Sequence, residues 1–439
     1  MKAFFAVMWI ILLANSALAE TERDVYTLSE VIGYAMKNNP TVILSQKNIQ
    51  SEAVGIKAAK AAKMPKVDFN TGVTRYRYPT AITPITGSPL EGADFPDFDN
   101  TLYDIGAVFR LSLYKGGQLD RGVLIAEMKK AIAEDNYRLS RQELVFNLSN
   151  VYYKIAQLEK LLEANEATVK QLESHKKDVE LFIIAGTVPQ VELLKTELEL
   201  SHAKERSLFV RNNLESAYEL LKTLMGIDDM NRKISVVHET VNDNESPIEE
   251  NIIKAFSDRP DYRAIMKKQK VIEERIKYAE GKGFPDIYLA GEYTDKAGED
   301  LTFKENWALA LRLTIPIFDG GSIKTEAERE KIELEKVKED ERALRLEIIR
   351  EIKDAHINIE NARERIKVSN KAIETAKENL RIERLKYETG AGTSTDVIDA
   401  QTSVLRADTD YYQAVFDKNI AITSLKKAIG EDEHGEVLE

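Results

Sequence analysis

The stretch WALALRLTIPIFDGG at residues 307–321 joins two periodicities and decides the fold. Up to Ile317, apolar side chains alternate with small or polar ones, and this two-residue period predicts a β-strand with one apolar face. From Ser322 to the end of the chain no proline occurs, and apolar or small residues recur every three or four positions, which predicts long helices. We interpret Gly320-Gly321 as the junction where the strand passes into the helix.

The same arrangement occurs twice in the chain. Three glycine positions recur at a separation of 204 residues: Gly116-Gly117 with Gly320-Gly321, Gly186 with Gly390, and Gly226 with Gly430. Two proline positions upstream recur at a separation of 220, namely Pro40 with Pro260 and Pro65 with Pro285. The difference, 220 − 204 = 16, places an insertion in the first copy, within segment 79–100, whose Pro, Gly and Asp residues predict a loop. A duplication with fixed spacing is a property of the whole fold.

We therefore expect a leader followed by two structural repeats. Lys2, a short apolar run and Ala17-Leu18-Ala19 predict a signal peptide over residues 1–19. The first repeat is predicted over 20–226, with a β-hairpin at about 66–114, the loop at about 79–100 and a long helical hairpin at 118–226. The second is predicted over 227–439, with a β-hairpin at about 286–317, a helical hairpin at 322–430 and a short acidic tail at 431–439.

The helical segments are too long for a compact globule. Seventy helical residues would extend about 105 Å at the usual rise per residue. In the second copy the seam positions follow a heptad spacing that predicts supercoiled packing of large against small side chains. They are Ile352, Ala355, Ile359, Ala362, Ile366, Ser369, Ile373, Ala376 and Leu380.

Composition excludes several classes of function. The chain has no cysteine, so disulfides and thiolate metal sites are absent, and its net charge of −12 without a basic stripe argues against nucleic-acid binding. The five histidines form no ligand pair at helical spacing and are placed on charged helix faces; they are at positions 175, 202, 238, 356 and 434. No phosphate-binding loop is present. We expect no enzyme activity, no cofactor and no metal.

The four predicted strands have the length, alternation and aromatic residues of transmembrane strands, with Tyr103 and Trp307 as candidate interfacial anchors. A soluble amphipathic sheet is the alternative. Four strands cannot close a barrel, and open sheet edges are not tolerated in lipid. Membrane insertion therefore requires several chains: two would supply 8 strands and three would supply 12, and the residue pattern does not choose between them.

Four motifs, together with the duplication, resemble the outer membrane efflux protein family of the TolC type. The motifs are Leu28-x-x-Val31-Ile32-x-x-Ala35-x-x-Asn38-Asn39-Pro40, Pro65-x-Val67, Pro316-Ile317-Phe318-Asp319-Gly320-Gly321, and Tyr387-x-x-Gly390 followed by Asp396-Val397-Ile398-Asp399-Ala400. The resemblance extends from about Leu28 to Gly430.

The resemblance implies a mainly α fold with a β-barrel part. A homotrimer would form a 12-stranded transmembrane β-barrel in the Gram-negative outer membrane, continued by a 12-helix α-barrel in the periplasm. A mixed belt would correspond to roughly 20–60, 227–260 and the C-terminal end. Such proteins are exit ducts for multidrug efflux or type I secretion, and they work with a periplasmic adaptor (membrane fusion protein) and an inner-membrane pump of RND, ABC or MFS type. Outer membrane lipid would surround the barrel.

The resemblance also assigns roles at the helix tips. Asp396 and Asp399 share one helix face and would form the pore constriction as six carboxylates in a trimer, with Tyr387 helping to lock it shut. The alternative is that both acids only favour a helix N-terminus. The first tip carries Glu192 and Lys195 at the matching positions. The expected adaptor contacts are Gly186, Thr187, Glu192, Gly390, Gly392 and Thr393, and at Gly392 family members often carry a larger polar residue that takes part in tip locking.

The long helices have an alternative interpretation, in which the protein is a periplasmic coiled-coil adaptor or scaffold without a pore. Adaptors usually have one helical hairpin flanked by β-domains. This chain has two hairpins in register and two amphipathic β-hairpins, which favours the duct.

Overall fold

The structure of the protein is a computed structural model that describes residues 24–83, 97–229, 231–237 and 246–431. The predicted leader at 1–19, most of the predicted loop, His238, His434 and the tail after Glu431 lie outside the described residues. In chain order the elements are β1 (Asp24–Tyr26), α1 (Leu28–Asn38), α2 (Pro40–Ala61), β2 (Lys66–Ala81), β3 (Phe98–Lys115), α3 (Gln118–Ile184), α4 (Gln190–Met225), β4 (Ile234–Val236), α5 (Ile248–Asp258), α6 (Pro260–Gly281), β5 (Asp286–Ala297), β6 (Lys304–Thr314), α7 (Ser322–Glu388) and α8 (Ser394–Ile429).

Each helix of the first copy has a counterpart of equal length in the second. Helices α1 and α5 have 11 residues, and α2 and α6 have 22. Helices α3 and α7 have 67 residues, and α4 and α8 have 36. Within the described residues, the helix boundaries therefore follow the glycine and proline spacing of the sequence. None of these helices is long and apolar enough to cross a membrane.

The strands differ from the sequence prediction at their ends. Thr80 pairs with Asp99 and Ala81 with Phe98, so both ends of the predicted loop 79–100 belong to strands. The pairing is irregular between Arg75 and Thr80, because Pro79 in this stretch has no N–H to donate. Strand β6 ends at Thr314 rather than at Ile317, since Pro316 likewise cannot continue the ladder.

The chain divides into two compact units, one of which comprises Gln46–Asn136 and Asp261–Ala343. It contains an antiparallel sheet in the order β2-β3-β5-β6. One face carries large apolar side chains that are exposed in the single chain: Val67, Phe69, Val73, Ile105, Tyr293, Trp307, Leu309, Leu311 and Leu313. The opposite face carries polar ones: Asp68, Asn70, Asp104, Arg110, Glu292, Thr294, Asn306 and Arg312. Strands β2 and β6 are the two edges of this sheet.

Both predicted glycine pairs lie between a strand and a helix in this unit. Gly116 and Gly117 follow β3, and Gly320 and Gly321 precede α7. All four have positive φ angles, the backbone region that favours glycine.

A buried ion pair joins α3 to α6 in the same unit. The Asp135 side chain is 2% exposed, with Lys267 Nζ at 2.5 Å from one carboxylate oxygen and Arg263 Nε at 3.7 Å from the other. The two cations are partly exposed, at 30% for Lys267 and 39% for Arg263, so water solvates part of their charge when the carboxylate is removed.

Asp135→Ala is expected to lower the free energy of unfolding by about 2 kcal/mol, because the charged hydrogen bond from Lys267 to the buried carboxylate is lost. The matched control is Glu374→Ala, which removes an exposed partner of Lys371 and is expected to cost less than about 0.5 kcal/mol. Thermal unfolding followed by circular dichroism measures both variants. If Asp135→Ala and Glu374→Ala unfolded at the same midpoint temperature, the assignment of Asp135 as a stabilising residue would be contradicted.

The second unit comprises the described residues within the ranges 24–45, 137–260 and 344–431. Its main core joins one face of α1 to α3, α4 and β4, and β4 pairs in parallel with β1. The core includes Val31, Ile32, Leu148, Tyr152, Ile155, Leu221, Met225, Ile234 and Val236. Helix α1 begins with a capping box between Thr27 and Glu30.

The two repeats also match in their polar contacts in this unit. Asn39 Nδ2 donates to the Leu224 carbonyl at 2.8 Å, and Arg259 Nη1 donates to the Ala428 carbonyl at 3.2 Å. These donors are 220 residues apart and the acceptors 204 apart, the two separations found in the sequence. The duplication therefore extends to individual hydrogen bonds at the ends of α4 and α8.

Polar pairs across the first helical hairpin show its antiparallel register. Glu159 accepts from Tyr218 at 2.6 Å, Glu166 from Arg211 at 2.8 Å, and Glu173 lies 2.9 Å from Lys204. In the second hairpin, Arg365 contacts Asp417 at 2.5 Å. The seam predicted on α7 lies inward: its members from Ile352 to Leu380 are all buried or half-buried. Helix α3 has a seam of its own at Asn165, Thr168, Leu172, His175 and Val179, all of which are buried.

Candidate functional site at the hairpin tips

Each helical hairpin turns at a glycine in the left-handed conformation. Gly186, with φ of 72°, follows α3, and Gly390, with φ of 73°, follows α7. Their N–H groups donate to the carbonyls of Ile183 and Tyr387, at 3.0 and 3.1 Å. A left-handed glycine that closes a helix C-terminus ends the helix sharply. Both glycines are exposed, and no atom of the described residues lies within 4 Å of a Cβ built on either.

Asp396 is part of the N-terminal cap of α8. The Thr393 hydroxyl accepts from the Asp396 N–H at 3.2 Å, and the Asp396 carboxylate accepts from the Thr393 N–H at 2.9 Å and from its hydroxyl at 2.7 Å. These hydrogen bonds hold the pKa of Asp396 below its usual value. The helix-start role considered for Asp396 thus operates in the single chain, and its carboxylate remains charged and exposed.

Asp399 lies one turn further along α8 and is also exposed. A separation of three residues places the Asp396 and Asp399 carboxylates on one helix face. A single chain brings these two acids together at one tip.

Tyr387 lies inside the tip rather than on its surface. It belongs to a buried cluster with Val179, Leu380, Val397 and Ala400. The ring of Phe182 packs edge-on against it, with centroids 5.5 Å apart. Burial raises the pKa of Tyr387, and the nearby carboxylates of Glu192 and Asp178 raise it further. Its buried hydroxyl has no hydrogen-bond partner among the described residues.

The first tip is built differently from the second. Pro189 is the N-cap residue of α4 and makes no side-chain cap. The Thr187 hydroxyl donates to the Phe182 carbonyl at 2.9 Å. Glu192 lies 3.4 Å from Lys195, and its Oε2 atom is buried without a hydrogen-bond partner among the described residues. A carboxylate therefore points into the protein at the position where the second tip exposes Asp396.

Gly392 has a local reason to be glycine. Its N–H donates to the Lys386 carbonyl at 3.1 Å, and a Cβ at this position would lie 3.0 Å from the Lys386 Cβ. A larger residue here requires the turn to shift. Glycine at position 392 therefore fits the tight turn of the second tip.

The sequence prediction for His175 was wrong. It was placed on a charged face, but it is 6% exposed, and its ring packs edge-on against Tyr387 with centroids 4.9 Å apart. Its Nε2 atom lies 2.7 Å from the Ser394 hydroxyl, which is 3.2 Å from the Thr196 hydroxyl. Burial lowers the pKa of His175. The burial of His175 could have been predicted from the α3 sequence, because His175 falls in the seam whose members, including Leu172 and Val179, recur every three or four residues.

The other described histidines have different surroundings. His202 is exposed, and His356 Nε2 lies 3.1 Å from the Asn251 amide. Within the described ranges, no group of three or more His, Asp or Glu side chains is placed to hold a metal ion.

The comparison with known proteins extends over almost the whole chain. A family model described as "Outer membrane efflux protein" matches residues 31–227 and 252–431. The outer membrane protein TolC of Vibrio cholerae is 21% identical over 445 residues, covering 95% of this chain and 94% of that protein. The solvent efflux pump outer membrane protein SrpC of Pseudomonas putida is 20% identical over 415 residues, covering 92% and 85%.

A solved structure has the same fold. The CmeC outer membrane channel of Campylobacter jejuni superposes with a TM-score of 0.80 at 18% identity, covering 92% of this chain and 85% of that one. The alternative hypothesis that this chain is an adaptor or scaffold without a pore is not favoured, because the family match includes both repeats and these relatives are outer membrane proteins. The family and its structural neighbours are channel proteins rather than enzymes. The chain therefore belongs to the outer membrane efflux protein family and is an exit channel of the outer membrane that extends into the periplasm.

Proposed function

We propose that three copies of this chain form one duct, with a 12-stranded barrel in the outer membrane and twelve periplasmic helices. The observation that carries the proposal is the four-stranded sheet, which has an apolar face exposed in the single chain and two edges, β2 and β6. In lipid each unpaired edge group costs several kcal/mol, so the edges must pair with other copies. Three copies of four strands give the twelve that the family resemblance implies.

The duct is closed at the hairpin tips in this proposal. Asp396 and Asp399 of three chains bring six carboxylates to a constriction that attracts cations, and Tyr387 braces each tip from inside. The supporting features are the exposed acids on one face of α8 and the buried Tyr387 ring, whose hydroxyl has no hydrogen-bond partner in the described part of the chain.

The same tips are the proposed docking site for a periplasmic adaptor, which connects the duct to an inner-membrane pump of RND, ABC or MFS type. Gly186, Thr187, Gly390 and Thr393 are exposed there, and Glu192 and Gly392 are half-buried beside them. The name of the Pseudomonas putida relative refers to a solvent efflux pump. By analogy we propose small-molecule efflux, with protein secretion as the second candidate.

The subunit number is tested by native mass spectrometry of the purified protein in mild detergent. The expected species is a trimer: closure of the sheet in lipid requires several copies, and the family resemblance implies three. A stable monomer in detergent micelles would contradict the shared barrel, and a dimer would replace twelve strands with eight.

A further inference from the structure

The tips contain a polar chain that the proposed gate does not use. It begins at His175 on α3, passes through Ser394 at the start of α8 and reaches Thr196 on α4. Ser394 and Thr196 are fully buried, and the Thr196 hydroxyl donates to the Glu192 carbonyl at 2.9 Å. The chain therefore connects the first hairpin, α3 and α4, with the second hairpin at the first residue of α8.

The hydrogen bonds have only one direction in which every link is satisfied. Because Thr196 donates its proton to the Glu192 carbonyl, it can only accept from Ser394. Ser394 then uses its single proton on Thr196 and must accept from His175 Nε2. A neutral imidazole with its proton on Nε2 completes the chain.

A second proton on His175 would create a cation among groups that solvate it poorly. The His175 ring packs against the Tyr387 ring of α7, and the Tyr387 ring also packs against Phe182. The charged groups that face it are Asp178 on its own helix, Glu192 on α4 and Arg384 on α7. The two carboxylates favour the cation, but burial outweighs them, and Arg384 opposes it as well.

We propose that the His175–Ser394–Thr196 chain is a latch that holds the two hairpins of one protomer together, and that a proton added to His175 releases it. The proposal rests on the proposed function, because it assumes that the hairpins part when the duct opens. Parting exposes His175 to water, where its pKa returns toward the ordinary value of 6.5. The open form then binds more protons, so opening is favoured as the pH on the tip side falls through that value.

Single-channel recording in planar bilayers tests the latch, with the pH on the tip side set to about 7.5 and then about 5.5, the range in which histidine changes charge. The open probability of the unmodified protein is expected to rise about fivefold or more, the lower end of typical coupling between a ligand and a conformational change.

The variants separate the proton from the packing. His175→Gln keeps an N–H donor for Ser394 but cannot gain a proton, so its open probability should stay low at both pH values. Thr196→Val removes the terminal hydroxyl and should raise the open probability at the higher pH. His202→Gln is the matched control, because His202 is an exposed histidine on the same hairpin; it should keep the normal pH response.

Hydrogen exchange of the peptides around residues 175–200 and 387–401 provides a readout that needs no pore. The ratio of exchange rates between the unmodified protein and His175→Gln at equal pH cancels the intrinsic pH effect. The latch predicts a ratio near one at the higher pH and faster exchange of the unmodified protein at the lower pH.

The possible failures can be told apart. A normal pH response in His175→Gln, or an exchange ratio that does not change with pH, would overturn the latch and leave the duct standing. No conductance in any variant, including Asp396→Asn with Asp399→Asn, would overturn the duct. The hydrogen-exchange ratio would then still show whether protonation of His175 loosens the tips.

Discussion

Gly116→Ala is expected to abolish assembly of the trimer, whereas Gly320→Ala is expected to assemble as the unmodified protein does. The two glycines occupy the same place in the two repeats, between a β-hairpin and a 67-residue helix. Both have positive φ angles, 55° and 68°, so an alanine at either position is strained by about 1–2 kcal/mol. This shared cost makes the pair a matched comparison.

The difference between them lies in what a Cβ would meet. A Cβ on Gly116 would overlap the carbonyl oxygen of Gly281 and lie 2.9 Å from its carbonyl carbon, and both are backbone atoms that cannot rotate away. A Cβ on Gly281 would in turn lie 2.6 Å from the Gly116 carbonyl oxygen. Within the described ranges of the chain, no atom lies within 4 Å of a Cβ built on Gly320.

We expect Gly116→Ala to lower the free energy of unfolding by more than about 4 kcal/mol. Single substitutions have effects of this size when they cause overpacking or strain that cannot relax. The measurement is the fraction of trimer in mild detergent and its thermal midpoint, compared with those of Gly320→Ala. If both variants formed trimers with the same midpoint, the close approach of Gly116 to Gly281 would not be a feature of the assembled protein.

The second large effect concerns conduction. The double variant Asp396→Asn with Asp399→Asn is expected to raise the half-blocking concentration of a trivalent cation, hexaamminecobalt(III), by about two orders of magnitude when it is added from the tip side. The reason is that six carboxylates leave one constriction in the proposed trimer. Each pair of opposite unit charges 4 Å apart contributes about 1 kcal/mol even in water, and a tenfold change in affinity corresponds to about 1.4 kcal/mol.

The controls test position and folding separately. Glu374→Gln removes an exposed carboxylate from α7 and should leave the block unchanged. Asn at position 396 can still accept from Thr393, so the start of α8 should survive the substitution. Unchanged block in the double variant would show that the constriction lies elsewhere in the duct.

Much of the helical architecture could be predicted from residue spacing. The left-handed glycines and the prolines at helix starts act locally, so their positions in the sequence determine where helices end and begin. The seam from Ile352 to Leu380 was predictable for a similar reason, because the helical period alone decides which side chains share a face. The strand ends at Pro79 and Pro316 were less predictable, since pairing depends on a partner strand elsewhere in the chain.

The tips show where prediction from sequence stops. Asp396, Asp399 and Tyr387 were found through the family motif, but the burial of His175 depends on Ser394 and Tyr387, which are more than 200 residues away in the chain. The contact between Gly116 and Gly281 likewise joins residues that are far apart in the sequence. Such pairs share no local pattern, and only the packing of the two repeats brings them together.

Conductance of the purified protein in a planar lipid bilayer tests the central claim most directly. We predict discrete, cation-selective openings whose selectivity falls in the Asp396→Asn, Asp399→Asn variant, because the charged constriction of a continuous duct sets which ions pass. No conductance from a confirmed trimer, in both the unmodified protein and this double variant, would contradict the duct.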